Sequence, residues 1–205
     1  MGQQFNCFLA LCVAIFSFAS FRAAAAEASA VVAISVKDQK LAVIKDGKKV
    51  ATYPVSTSMF GLGDSFGSYK TPAGVMMVCD KFGGNLQPGA VIRHRTPTGE
   101  VLPPDAPGRD PIVTRIICLR GLEAQNRNAF PRSIYIHGTP QESSIGKQAS
   151  WGCIRMRSRD VIALYNEIGI GACVEVSEKK LSALVRTPVV IPPEGIHNLM
   201  ATAVN

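Results

Sequence analysis

Ser150-Trp151-Gly152-Cys153-Ile154-Arg155, read together with Ile136-His137-Gly138-Thr139 upstream, is the stretch that decides how this chain is understood. It sets one cysteine between a glycine and a positive charge two residues on, with an imidazole arriving from a separate segment. Cysteine chemistry needs that pairing, because the thiolate is the nucleophile and a nearby base must generate it. Only three histidines occur in the chain, which gives His137 weight. His94, between Arg93 and Arg95, and His197, near the C-terminus, sit in contexts expected of bystanders.

Working outward, the segments around this pair read as short strands. Val31 to Val36, Leu41 to Ile44, Val50 to Val55, Val75 to Cys79, Ala90 to His94, Ile112 to Leu119, Ser133 to His137 and Ala172 to Val176 are β-rich runs bounded by turn residues. Asp46-Gly47 is a hairpin signal. The Gly/Ser-rich stretch Ser56 to Lys70 reads as a loop, and Thr71-Pro72-Ala73-Gly74 as a turn. Arg95 to Asp110 is proline-rich and is expected to be a long irregular loop, either a lid at the site or a solvated connector. One main helix is expected after Cys153, with Ser158 as N-cap and an apolar face of Val161, Leu164, Tyr165 and Ile168. A short helix is expected between Ser177 and Val185. The sum is a mostly-β single domain.

Composition narrows the class. At 205 residues the chain has room for one domain with a full core. Its 22 Lys and Arg outnumber 15 Asp and Glu, giving a net charge of +7 that favours an anionic partner. The basic residues are scattered without runs or interleaved aromatics, which argues against nucleic acid and fits a wall polymer or a carboxylate-bearing peptide. No Cys/His cluster or HExxH is present, so neither a metal nor another cofactor is expected. Residues 1–26 read as a signal peptide, or as an uncleaved anchor, through the apolar run Phe5 to Phe21 and Ala23 to Ala26. Export to the periplasm or cell envelope is the expectation. Of the cysteines beyond that segment, Cys79, Cys118 and Cys173 lie in apolar strand-like runs suited to buried free thiols.

The residues quoted first resemble the catalytic motif of the L,D-transpeptidases (YkuD-type), which cross-link peptidoglycan. The match runs through His137, Gly138, Thr139, Ser150, Gly152, Cys153, Ile154 and Arg155, and extends to Tyr53-Pro54-Val55-Ser56 and Gly67-Ser68-Tyr69-Lys70-Thr71-Pro72-Ala73-Gly74. Trp151 departs from it, standing where the family most often has histidine. The resemblance implies a β-sandwich-like catalytic domain over residues 31–176, followed by a C-terminal tail at 177–205. It implies that Cys153 attacks a peptidoglycan tetrapeptide stem, releases D-alanine and passes the acyl group from a thioester to an amine acceptor, a second stem or a protein lysine. It also implies inactivation by carbapenem-type β-lactams.

Within that reading His137 is the base and Gly152 offers a backbone N–H to the oxyanion. The carbonyl of Gly138 orients the imidazole, a role implied by the family. Substrate contacts are expected from Arg155, Trp151, Ser150 and Thr139. Arg155 has a second reading, as the partner of Asp160 or another acid. An L,D-carboxypeptidase, using water as acceptor, and a catalytically silent wall-binding module remain open as alternatives.

Overall fold

The computed structural model describes residues 30–187 and residue 189; the N-terminal apolar segment, His197 and most of the expected tail lie outside the described residues. Ten strands form one mixed sheet. In chain order they are β1 (Val31–Ser35), β2 (Lys40–Lys45), β3 (Lys48–Pro54), β4 (Gly74–Phe82), β5 (Ala90–Arg93), β6 (Thr96–Val101), β7 (Val113–Gly121), β8 (Tyr135–Gly138), β9 (Ile154–Met156) and β10 (Cys173–Ser177). The strand path is β3-β2-β1-β10-β4-β7-β5-β6, with β8 on β7 and β9 on β8. The β1–β10 and β8–β9 pairs are parallel and the rest antiparallel.

The first hairpin follows from its sequence. Asp46 and Gly47 both take positive φ, 50° and 70°, the backbone twist a two-residue turn between right-twisted strands requires. Apolar side chains on β1, β2, β4, β7, β8 and β9 enter one common core, among them Ile34, Leu41, Met76, Ile117, Ile136, Ile154 and Met156. One sheet therefore wraps around a main core, with smaller apolar clusters on its other faces, which is how the mostly-β, sandwich-like architecture is realised. Register shifts in the β4–β7 and β7–β8 pairs supply local bends.

Helix α1 (Ser158–Glu167) packs against β7 and β8, burying Val161 and Leu164. Its start lies one residue earlier than expected: Arg157 occupies the N-cap, and Ser158 is already helical. The Ser158 amide is satisfied from outside, by Glu142 Oε1 at 2.8 Å, while its hydroxyl meets Thr114 Oγ1 at 2.8 Å. At the other end Lys81 Nζ donates to the carbonyls of Tyr165 (2.6 Å) and Ile168 (2.7 Å), placing a cation where the helix dipole favours one. Helix α2 (Leu181–Leu184) covers Ala33 and Ala42 on the opposite face of β1 and β2.

The stretch Arg95 to Asp110 is less irregular than its prolines imply. Thr96–Val101 is strand β6, paired antiparallel with β5 through a turn in which His94 and Arg95 have positive φ. Pro97 and Gly99 are tolerated because β6 ends the strand path. Only the remainder loops, and it folds towards the 3-10 turn Glu142–Ser144 through Asp105 N–H to Pro140 O (2.6 Å) and Ser143 N–H to Asp105 Oδ1 (2.8 Å).

After β3 the chain crosses to the far side of the sheet. Ser56 and Arg155 exchange two backbone hydrogen bonds of 2.9 Å, so this segment covers the free edge of β9 and draws the sheet closed. Ser58 forms a further bridge to Ser150. Thr71, wholly buried, ties the next turn to the same place. Its hydroxyl donates to Gly152 O at 2.9 Å and accepts the Ser58 amide at 3.0 Å.

Thr71→Val keeps the shape but leaves a buried amide and a buried carbonyl unpaired. At about 1–3 kcal/mol for each buried unpaired group, it is expected to lower unfolding stability by at least about 2 kcal/mol in urea titration. Thr71→Ser is expected to stay within about 1 kcal/mol of the parent, since it keeps both bonds.

Candidate active site

Strands β8 and β9 run side by side in parallel with His137 opposite Arg155 and Gly138 opposite Met156. Cys153 is the last residue before β9. These elements open into a cleft of about 410 Å³ lined by Asp110, Ile112, His137, Gln141, Ala149, Ser150, Trp151, Cys153 and Arg155. The base, the thiol and the guanidinium read from the sequence thus share one cavity.

His137 is buried, with Nδ1 2.8 Å from the carbonyl of Gly138. A carbonyl can only accept, so Nδ1 carries the hydrogen and Nε2 keeps its lone pair. Burial pushes the imidazole pKa below its ordinary 6.5. The Gly138 bond and the Asp110 charge oppose the shift, and the Arg155 charge adds to it. At neutral pH the ring is an uncharged acceptor. Gly138 has no room for a side chain, since a Cβ would lie 2.6 Å from Val113 O.

Cys153 Sγ accepts the Tyr135 amide at 3.4 Å and faces the Ser133 carbonyl at 3.4 Å. Burial pushes its thiol up to about 11, against the opposing pull of the Tyr135 N–H and the charges of Arg132 and Arg155. The resting pair is therefore neutral thiol and neutral imidazole. Arg132 and the Tyr135 amide carry no signal in the sequence, because one acts by charge through space and the other by backbone position. Arg132 is held by Asp64 Oδ1 (3.1 Å) and by the carbonyls of Gly63 (3.1 Å) and Lys70 (2.7 Å).

Gly152 has φ +120°, and a Cβ there would press on Lys70 O at 3.3 Å. Glycine is needed for both conformation and space. Its N–H points to Ser150 Oγ at 3.3 Å, and Ser150 Oγ in turn donates to Cys153 O at 2.6 Å. Ser150 thereby holds the turn that presents the thiol while also lining the cleft.

Arg155 is 4% exposed and pairs through Nη1 with Asp110 and with Gln141 Oε1 (3.3 Å); among the described residues its Nε and Nη2 have no partner. The acid it meets is Asp110, from the loop after β6. Asp160 instead pairs with Arg157 and Arg159 at the start of α1. Thr139 is wholly buried behind the cleft wall, where its hydroxyl binds Asp110 and accepts the Gln141 amide at 3.0 Å. Asp110 is thus the clasp between the loop, β9 and the segment after His137. No sequence spacing marked it, because its partners lie far along the chain. Trp151 stands at the rim, 65% exposed.

The four described cysteines are all free; Cys118 and Cys173 are buried and Cys79 is half-buried. Among the described residues no group of His, Cys, Asp and Glu could hold a metal ion, and no helix is long and apolar enough to cross a membrane.

A family model for the L,D-transpeptidase catalytic domain matches residues 29–191. "Putative L,D-transpeptidase YqjB" of Bacillus subtilis is 31% identical over 151 residues, 74% of this chain and 73% of that protein. "Probable L,D-transpeptidase YcfS" of Escherichia coli is 29% identical over 167 residues, 80% of this chain but 46% of that longer protein. Among solved structures, an L,D-transpeptidase from Mycobacterium smegmatis aligns with TM-score 0.49 and 19% identity, over 73% of this chain and 59% of that one.

A thiol held this high dictates its pH response. Site-resolved alkylation of Cys153 by iodoacetamide is expected to keep rising well past pH 9, towards about pH 11, and not to level off near neutrality. The linked stability has a fixed sign: the folded state binds the proton more tightly, so this contribution is complete below the ordinary pKa of 9.0 and is lost as pH rises through about 11. A plateau of alkylation below pH 7 would show a resting thiolate–imidazolium pair instead.

Proposed function

This chain belongs to the L,D-transpeptidase catalytic-domain family, and from that premise we propose that it is an exported enzyme of the periplasm or cell envelope that acts on peptidoglycan tetrapeptide stems through a Cys153 thioester. The observation that carries the proposal is the shared cleft, lined by both Cys153 and a buried imidazole whose tautomer leaves Nε2 free to take a proton.

As Cys153 sulfur bonds to the carbonyl carbon of the third stem residue, its proton passes to His137 Nε2. A base so placed is typically worth about 10²–10⁴-fold. Because thiol and imidazole both start neutral, proton transfer accompanies attack. The Tyr135 amide supports the charge that develops on sulfur, and the Gly152 amide exchanges its long bond to Ser150 for the oxyanion. Collapse of the tetrahedral intermediate breaks the bond to D-alanine, whose nitrogen takes the proton back from His137. An amine, on a second stem or a protein lysine, then attacks the thioester, gives its proton to His137 and frees the thiol.

Arg155 supports substrate placement through its positive charge in the cleft lining, suited to a stem carboxylate. Trp151 provides an apolar rim; an indole can donate a hydrogen bond but cannot shuttle a proton, so the base function rests on His137. No cofactor takes part. A carbapenem-type β-lactam presents the same kind of carbonyl to the same sulfur, and acylation of Cys153 is the expected outcome.

Incubation with purified tetrapeptide muropeptides, followed by mass spectrometry, is expected to give cross-linked dimers with loss of D-alanine, and none with Cys153→Ala. Tripeptide product alone would place the enzyme among the L,D-carboxypeptidases. Binding without any product would leave a wall-binding module. Trp151→His is expected to change the rate only modestly; a gain of several hundred-fold would overturn the assignment of the base to His137 alone.

A further inference from the structure

Beside the cleft lies a feature of which only Trp151 lines the acyl-transfer site. Phe60, Tyr69 and Trp151 come from separate positions in the chain and pack as a trio, yet they remain 45%, 50% and 65% exposed. Tyr69 and Trp151 meet at 5.1 Å with planes 70° apart, Phe60 and Trp151 at 5.9 Å and 86°, and Phe60 and Tyr69 at 6.0 Å and 44°. Two edge-to-face contacts and one tilted contact steady the rings, which stay substantially exposed. Exposed apolar clusters of this kind on a soluble face mark binding surfaces.

The trio is fixed by the backbone beneath it. Ser58 Oγ donates to Tyr69 O at 2.6 Å and accepts the Phe60 amide at 3.0 Å, while the Met59 amide donates to Ser150 O at 3.0 Å beside Trp151. The rings are preorganised, so ligand stacking would cost little ordering entropy. Trp151 also lines the catalytic cleft, so whatever lies on the platform is continuous with whatever enters the site.

We propose that Phe60, Tyr69 and Trp151 form a glycan subsite, stacking against the pyranose rings of the sugar strand that carries the stem peptide. This rests on the reading of the cleft as a peptidoglycan acyl-transfer site. The apolar C–H faces of β-linked N-acetyl hexoses match flat aromatic faces. The spacing agrees. The reacting carbonyl belongs to the third stem residue, so the sugar begins roughly 10 Å away along an extended peptide. A side chain two residues from Cys153, at the cleft rim, is within that distance.

Trp151 is the single tryptophan of the chain, so intrinsic fluorescence reports on this position alone. The full chain carrying Cys153→Ala would be titrated with glycan strands stripped of their stems. Saturable change in Trp151 emission that persists in 0.5 M salt is expected, with at least about tenfold weaker binding in Phe60→Ala and recovery in Phe60→Tyr. No response to stripped strands, a response to free tetrapeptide only, or a response abolished by salt would overturn the subsite. A response to phosphatidylglycerol vesicles in place of glycan would overturn it in favour of a membrane contact. Failure of the acyl-transfer reading is separately visible. Strand binding without D-alanine release from muropeptides by the Cys153 enzyme keeps the subsite and removes the reaction, and release without strand binding does the reverse.

Discussion

The two backbone hydrogen bonds between Ser56 and Arg155 are the constraint on which this molecule depends. They join the segment leaving β3, an outer strand of the sheet, to the edge of β9, and so close the sheet over its main core. A pair of net worth about 0.5–1.5 kcal/mol each is modest in isolation. Its position gives it leverage, because Ser58, Thr71, Gly152 and Ser150 are linked in succession along the same seam. The turn that presents Cys153 is part of that seam. The candidate nucleophile and the closure are built from the same few residues.

This arrangement explains why a short motif is so informative. Ser150 holds the turn by donating to the Cys153 carbonyl, Gly152 takes a φ that other residues resist, and Arg155 lies across from His137 on adjoining parallel strands. Each residue type answers to a local geometric demand, so the string can be read without the fold. The strands carrying apolar runs were legible for the same reason, as was the Asp46-Gly47 turn. Strand β9 was hidden inside the motif, although Ile154, Arg155 and Met156 are only three residues long. Strand β6 was hidden by Pro97 and Gly99, which lower strand propensity but are harmless at the end of a strand path.

What stayed illegible was the choice of partners. Arg155 could have met any acid; the fold gives it Asp110, and gives Asp160 to the arginines at the start of α1. Thr139 had the look of a cleft residue and sits behind the wall. Arg132 acts on Cys153 only through charge, from a position fixed by Asp64. These are long-range pairings whose geometry no spacing encodes.

The high pKa of the Cys153 thiol has a consequence for the lifetime of the molecule. Oxidation to sulfenic acid and beyond begins from the thiolate. A sulfur held as a neutral thiol is a poor target for peroxide. The surroundings that make this half-buried sulfur a reluctant acid thereby also slow its oxidation.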